Sequence, residues 1–145
     1  MQASLRLHLS QAEAYQSQSQ HFSRWGYPAL GKTWAEYAEE ERGHAAALIG
    51  RLEFFDVAPN LAHEPVEWPR NDFEGILASN YEGDEVAAGV ERGGFLACTA
   101  VGDAESAKIF AELLKGSEDS MAIIEGIQRV IEQVGVENYL TNQTE

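Results

Sequence analysis

Residues 30–55 read LGKTWAEYAEEERGHAAALIGRLEFF, and this stretch decides the fold. Eight of its positions recur at steps of three and four, which places them on one stripe of an α-helix. They are Leu30, Trp34, Tyr37, Glu41, His44, Leu48, Leu52 and Phe55. Only Glu41 and His44 interrupt an otherwise apolar and aromatic stripe. A carboxylate and an imidazole one turn apart on a core-facing stripe predict a polar site inside a helical bundle.

The few proline and glycine breaks in the chain leave four long segments, at 2–24, 29–55, 71–100 and 104–134. Each is longer than a typical β-strand, so all four are predicted to be helices. The short breaks near Gly26 and Gly102 predict two antiparallel hairpins, whereas residues 56–70 predict a long crossover. Two hairpins joined by one long crossover indicate an all-α, ferritin-like four-helix bundle, in a single domain over residues 1–145.

Polar residues of the predicted helices fall at matching heights. His8 lies 18 residues before the turn at position 26 and His44 lies 18 residues after it. Both are expected at one level, because each helix rises about 1.5 Å per residue. Asp84 and Ser120 are placed in the same way, 18 residues to either side of position 102. The bundle centre is therefore expected to contain His8, Glu41, His44, Asp84, Ser117 and Ser120.

Carboxylates buried at such a centre need a partner, because an unpaired buried charge costs several kcal/mol. A bound metal is one interpretation, since Glu41 and His44 present an oxygen and a nitrogen on the same face. Hydrogen bonding without metal is the other, with Glu41 and Asp84 as partners of His8 and His44. The residues alone leave both interpretations open.

The sequence resembles bacterioferritin, of the ferritin-like family, over nearly the whole chain. The resemblance rests on Trp25-Gly26, Glu41-x-x-His44 followed by Ala45, Pro59-Asn60-Leu61, and the closing Gly135-x-x-Asn138-Tyr139-Leu140. It implies a four-helix subunit with a short fifth helix, at roughly 138–144, in a hollow cage of about two dozen subunits. It also implies oxidation of Fe(II) at a di-iron centre in each bundle and storage of ferric mineral in the cavity.

The resemblance further implies a ligand set of two Glu-x-x-His pairs and two single glutamates. Glu41 and His44 preserve one pair, while the single glutamates fall on His8 and Asp84 and the second pair falls on Ser117 and Ser120. Neutral hydroxyls are poor iron ligands. His8, Glu41 and His44 instead form the two-histidine, one-carboxylate set of mononuclear Fe(II) sites, with Asp84 as a fourth ligand or as an acceptor that orients an imidazole. One metal per bundle is expected.

Haem is not expected. In bacterioferritins a methionine just after the glutamate of the second-helix motif supplies a haem ligand, and Arg42 stands in its place. A guanidinium carries no lone pair for iron. The expected cofactor is non-haem iron alone.

These observations favour an iron-binding, iron-storing protein with an altered, mononuclear Fe(II) site and slow ferroxidase activity. An inert cage subunit, which nucleates iron or joins an active bacterioferritin subunit in a hetero-oligomer, is the alternative to a homo-oligomeric cage. A mononuclear enzyme that carries out other oxygen chemistry is a third hypothesis.

The composition excludes several other classes of partner. The chain has 24 acidic and 10 basic residues, for a formal net charge of −14, which opposes binding to nucleic acid or anionic membrane. No apolar stretch has the length of a membrane span or a signal sequence. Cys98 is the only cysteine, so no intrachain disulfide forms, and a cytoplasmic location is expected.

Overall fold

The computed structural model describes all 145 residues and contains five helices and no strand. The helices are α1 (Gln2–Trp25), α2 (Pro28–Phe54), α3 (Phe73–Ala100), α4 (Ala104–Val134) and α5 (Val136–Thr141). The four long helices confirm the prediction, with ends that differ from it by two residues at most. The short fifth helix is also present, two residues earlier than predicted at its start.

The helix ends have local causes in the sequence. Gly26 ends α1 in the left-handed conformation with φ of 104°, and Pro28 occupies the first turn of α2. The carboxylate of Asp72 accepts a hydrogen bond from the backbone N–H of Gly75 and caps α3. This cap explains why α3 begins at residue 73 rather than at residue 71.

Each hairpin packs on itself, α1 on α2 and α3 on α4, and the two hairpins meet through α1 on α3 and α2 on α4. The crossover of residues 55–72 follows α1 in its own direction. The Gln2 amide donates to the Asn60 carbonyl, Glu64 pairs with Arg6, and the ring of Trp68 meets that of His21. The chain thus returns along the outside of the bundle before α3 begins, which confirms the ferritin-like topology.

A polar layer crosses the bundle between two apolar clusters. The larger cluster contains Tyr15, Phe22, Leu30, Trp34, Ala38, Phe73, Ile76, Leu77, Ile124, Ile131 and Leu140. The smaller contains Leu5, Ala45, Leu48, Leu52, Phe110 and Leu113. His8 falls between Leu5 and Tyr15 on α1, and Glu41 between Ala38 and Ala45 on α2. The polar side chains are therefore fixed in position by packing above and below them. No helix of the fold combines the length and the apolar character needed to cross a bilayer.

Candidate metal centre

Three side chains from the first hairpin converge in the polar layer. One donor atom each from His8, Glu41 and His44 lies within 4.8 Å of the other two. The rings of His8 and His44 meet edge to face, with centroids 5.1 Å apart. The equal spacing of both histidines from the turn at residue 26 correctly predicted this contact.

His8 is held on both ring nitrogens. Its Nδ1 lies 2.5 Å from Oε2 of Glu41, and its Nε2 lies 2.8 Å from Oε1 of Glu91. Burial disfavours the cation, but the hydrogen bonds to the two carboxylates outweigh burial and raise the pKa of His8 to about 9. At neutral pH His8 is therefore an imidazolium that donates a proton to each glutamate.

Glu41 connects the two histidines. Besides its contact with His8, its Oε2 lies 3.7 Å from Nδ1 of His44. Burial alone would raise the pKa of Glu41, yet the two imidazoles lower it, so this carboxylate is ionised. Glu41 is thus an anionic donor at the centre of the trio.

One ring nitrogen of His44 makes no hydrogen bond and is available as a metal ligand. Its Nδ1 is buried and has no hydrogen-bond partner. Buried polar atoms are almost always satisfied, so an orphaned imidazole nitrogen facing a carboxylate is a position suited to a cation. The donor set of the trio can therefore hold one divalent metal once His8 has lost the proton on Nδ1.

Asp84 lies beside the trio and not within its 4.8 Å group. Its carboxylate accepts hydrogen bonds from Nε2 of Gln11 at 3.0 Å and from the hydroxyl of Ser120 at 2.6 Å. Burial raises the pKa of Asp84 to about 7. The sequence predicted that Asp84 and Ser120 lie at the same height in the bundle, and the hydrogen bond between them confirms it.

Glu91 is part of the site and was missed from the sequence. It is fully buried on α3, where it accepts a hydrogen bond from the Ser117 hydroxyl at 2.9 Å as well as from His8. A signal for it existed, because Glu91 continues the stripe of Asn80, Asp84 and Ala87 at helical spacing. The resemblance places ligands at other positions, so it gave no reason to select Glu91.

One hydrogen-bond chain consequently passes through all four long helices. It runs from Ser117 on α4 to Glu91 on α3, then to His8 on α1 and Glu41 on α2. Every member of the chain has a partner, which is the condition for a buried polar network to be stable.

The α4 side of the centre offers no second ligand set. The hydroxyls of Ser117 and Ser120 donate to Glu91 and Asp84, and the neighbouring acids Glu118 and Asp119 are exposed. A second metal would therefore lack both a bridging carboxylate and an imidazole here.

A cavity of about 200 Å³ leads from the surface to this centre between α2 and α4. Its lining includes Glu41 and His44 and, among exposed residues, Glu40 and Asp119. Gly116 borders it closely, since a Cβ at that position would lie 3.2 Å from Cε1 of His44. The cavity gives a small cation an acidic route to the unused nitrogen of His44.

Arg42, at the position where the resemblance implies a haem-ligating methionine, points toward acidic neighbours. Its guanidinium lies 2.7 Å from the carboxylate of Glu39 and 3.9 Å from that of Glu13. This side chain presents a fixed positive charge and no donor atom for iron.

Comparison with known proteins agrees with the fold. The family model described as a ferritin-like domain matches residues 1–134. The chain is 32% identical to the bacterioferritin of Brucella melitensis over 79% of its own length and 71% of that protein. It is 29% identical to the bacterioferritin of Rhodobacter capsulatus, over 96% of this chain and 86% of the relative. It is 27% identical to a bacterial ferritin of Synechocystis sp., over 96% of this chain and 90% of the relative. The chain therefore belongs to the ferritin-like family and is similar to its bacterioferritins.

Proposed function

We propose that this protein stores iron in a cage built from copies of its own chain, and that each bundle binds a single Fe(II) through His8, Glu41 and His44. The observation that carries the proposal is the meeting of three donor atoms within 4.8 Å, one of them the orphaned Nδ1 of His44. Asp84 belongs to the proposed site as a carboxylate next to the trio. Membership of the ferritin-like family supports the storage role.

Iron enters this site as substrate, through the acidic cavity between α2 and α4. The two imidazoles and Glu41 would hold it, and binding requires that His8 release the proton it shares with Glu41. A single Fe(II) offers one electron, whereas a pair of irons offers two, so oxidation by O₂ is expected to be slower than at a complete di-iron centre. The ferroxidase activity proposed here is accordingly weak.

The proposed cage is haem-free and cytoplasmic. Arg42 makes the cage haem-free, which haem titration followed by absorbance tests directly. Cys98 is unpaired and there is no disulfide, in keeping with a cytoplasmic location.

The decisive experiment is an anaerobic titration of the metal-free protein with Fe(II), read as bound iron per chain before oxygen is admitted. We expect a value near one. A value near two would mean that a di-iron centre forms despite Ser117 and Ser120. The rate at which ferric product forms, compared with the same iron in buffer, then measures the ferroxidase activity.

A value near zero would favour the second candidate function, that of an inert cage subunit that nucleates mineral or assembles with an active partner subunit. The specific observation in its favour is His8, because an imidazolium between Glu41 and Glu91 already supplies a cation at the centre. In that case iron uptake by the assembly would depend on the partner.

A further inference from the structure

We infer that Glu91 is the positioning residue of the centre: it holds His8 by Nε2 and so directs Nδ1 of that ring toward Glu41 and His44. For its consequence on metal binding, this inference rests on the proposed function. For the orientation of His8 it stands on the geometry alone.

The two nitrogens of the His8 ring face different partners. Nε2 of His8 donates to Glu91 at 2.8 Å, and both side chains are almost completely buried. An imidazole whose one nitrogen donates to a fixed carboxylate presents the other nitrogen to its remaining partner. Nδ1 therefore faces Glu41, on the side where the trio converges.

Glu91 is itself held by a hydrogen bond from α4. Its other oxygen, Oε2, accepts from the hydroxyl of Ser117 at 2.9 Å, and the carboxylate has no access to solvent. Both oxygens are thus assigned, so the carboxylate cannot rotate without losing a buried hydrogen bond. Ser117 acquires a role here that is different from metal binding: it keeps Glu91 aimed at His8.

The contact between His8 and Glu91 matches a common arrangement around metal-binding histidines. A histidine that binds a metal nearly always donates its other N–H to a carboxylate or carbonyl, and removal of that acceptor typically lowers metal affinity about 10- to 100-fold. Glu91 occupies the acceptor position of such an arrangement. Glu91 lies on α3, in the second hairpin, and His8 lies on α1, in the first. A residue of the second hairpin therefore orients the His8 ring, whose Nδ1 belongs to the metal-binding trio of the first hairpin.

The test compares Glu91→Gln with Glu91→Leu. The glutamine amide still offers an oxygen to His8 Nε2, whereas leucine removes the acceptor at similar volume. The first readout is the ¹⁵N-resolved imidazole spectrum of the metal-free protein. We expect a slowly exchanging Nε2 proton on His8 in the wild type and in Glu91→Gln, and its loss in Glu91→Leu.

The second readout is Zn(II) affinity, measured against a competing chelator. We expect a fall of about 10- to 100-fold in Glu91→Leu and a smaller fall in Glu91→Gln. Asn80→Ala is the matched control on the same helix, because it breaks a buried hydrogen-bonded pair with Gln18 and leaves His8 untouched. It should lower the melting temperature without changing the His8 signal or the Zn(II) affinity.

The outcomes separate the two proposals. Absence of the Nε2 proton in the wild type, or its persistence in Glu91→Leu, overturns the positioning role. Unchanged Zn(II) affinity in Glu91→Leu, in a wild type that binds Zn(II), also overturns it. A wild type that shows the Nε2 proton and binds no metal upholds the role of Glu91 and rejects the mononuclear site.

Discussion

His8 Nδ1 and Glu41 Oε2 lie 2.5 Å apart, and the proton between them joins α1 to α2 inside the bundle. Neither group is strongly exposed, because 1% of the His8 side chain and 12% of the Glu41 side chain face solvent. Neutralising or removing one member of a buried charge pair destabilises the fold, because the other charge stays buried without a partner. The protonation state of His8 therefore bears on the stability of the whole fold.

Stability of the metal-free protein should fall as the pH rises above neutrality. The pKa of His8 is about 9 in the folded state, against 6.5 for an unperturbed histidine. The folded state therefore binds more protons between these values, so its advantage is complete below pH 6.5 and is lost as the pH passes 9. The expected loss is about 3 kcal/mol. Urea denaturation in the presence of chelator, at pH 6 to 9 and fixed protein concentration, measures it.

The variant His8→Gln serves as the control for this pH dependence. Asp84 also has a raised pKa, but at about 7 its contribution ends near neutrality. The fall between pH 7 and 9 should consequently disappear in His8→Gln, even though that variant is less stable at pH 6. Parallel pH profiles for the two proteins would contradict the assignment to His8.

Removal of His44 should weaken metal binding with little effect on the fold. Because Nδ1 of His44 has no hydrogen-bond partner, His44→Ala breaks no buried hydrogen bond at that atom. We expect Fe(II) or Zn(II) affinity to fall by at least about tenfold, with an unchanged helical circular dichroism spectrum. His63→Ala, a histidine bonded to the carbonyl of Glu64 in the crossover, is the control and should bind as the wild type does. Equal affinities in all three proteins would rule His44 out as a ligand.

Gly116→Ala should separate metal binding from stability. The added methyl would lie 3.2 Å from Cε1 of His44, so the imidazole must move by a few tenths of an ångström relative to Glu41. Alanine is also the better helix former, by about 1 kcal/mol. We expect the melting temperature to stay level or rise while metal affinity falls about tenfold. Gly126→Ala on the same helix, where a Cβ meets no atom within 4 Å, should raise stability and leave affinity unchanged.

A second iron position should be recoverable by exchanging a carboxylate between helices. In Ser117→Glu/Ser120→His/Glu91→Ser, the number of buried carboxylates is conserved while α4 gains the Glu-x-x-His pair that the family resemblance implies. The loss of Glu91 is expected to weaken binding at His8, so the titration is carried to Fe(II) concentrations high enough to fill that position. At saturation, anaerobic Fe(II) binding is expected to rise from near one per chain to near two.

The double variant Ser117→Glu/Ser120→His, which retains Glu91, is the comparison for the triple variant. Ser117 Oγ is 2.9 Å from Glu91, so a glutamate at 117 would face a like charge in a buried setting. That protein should melt at a lower temperature than the triple variant in chelator. Identical melting temperatures would show that Glu91 does not oppose a carboxylate on α4.

The fold was predictable because its signals are periodic and local. The stripe from Leu30 to Phe55 and the breaks at Gly26 and Gly102 located the helices, and equal distances from each break located His8 against His44. The rise per residue of a helix converts such spacings into heights along the bundle, and the apolar stripe determines which face of each helix turns toward the core. The centre of the bundle was for this reason largely predictable as a set of residues.

The pairing inside that set was not predictable, because it depends on the rotation of each helix and on side-chain reach. Asp84 was expected to be a fourth ligand or the acceptor that orients an imidazole, but its carboxylate bonds with Gln11 and Ser120, and Glu91 accepts from His8. Glu91, two turns further along α3, reaches His8 because α1 and α3 run in opposite directions. Asp84 and Glu91 lie on the same stripe of α3, and which of them meets His8 depends on how α1 and α3 are aligned along their axes. Sequence spacing within one helix does not give that alignment.

The hydrogen-bond chain from Ser117 to Glu41 has a consequence for how this subunit matures. In a bundle whose centre is closed by metal ions, the apoprotein carries several mutually repelling carboxylates until metal arrives. Here the protonated ring of His8 links α1 to α2 and α3, and Glu91 extends the connection to Ser117 on α4. The positive charge at the centre is therefore supplied by a side chain of the chain itself, and the bundle is expected to fold before any metal binds.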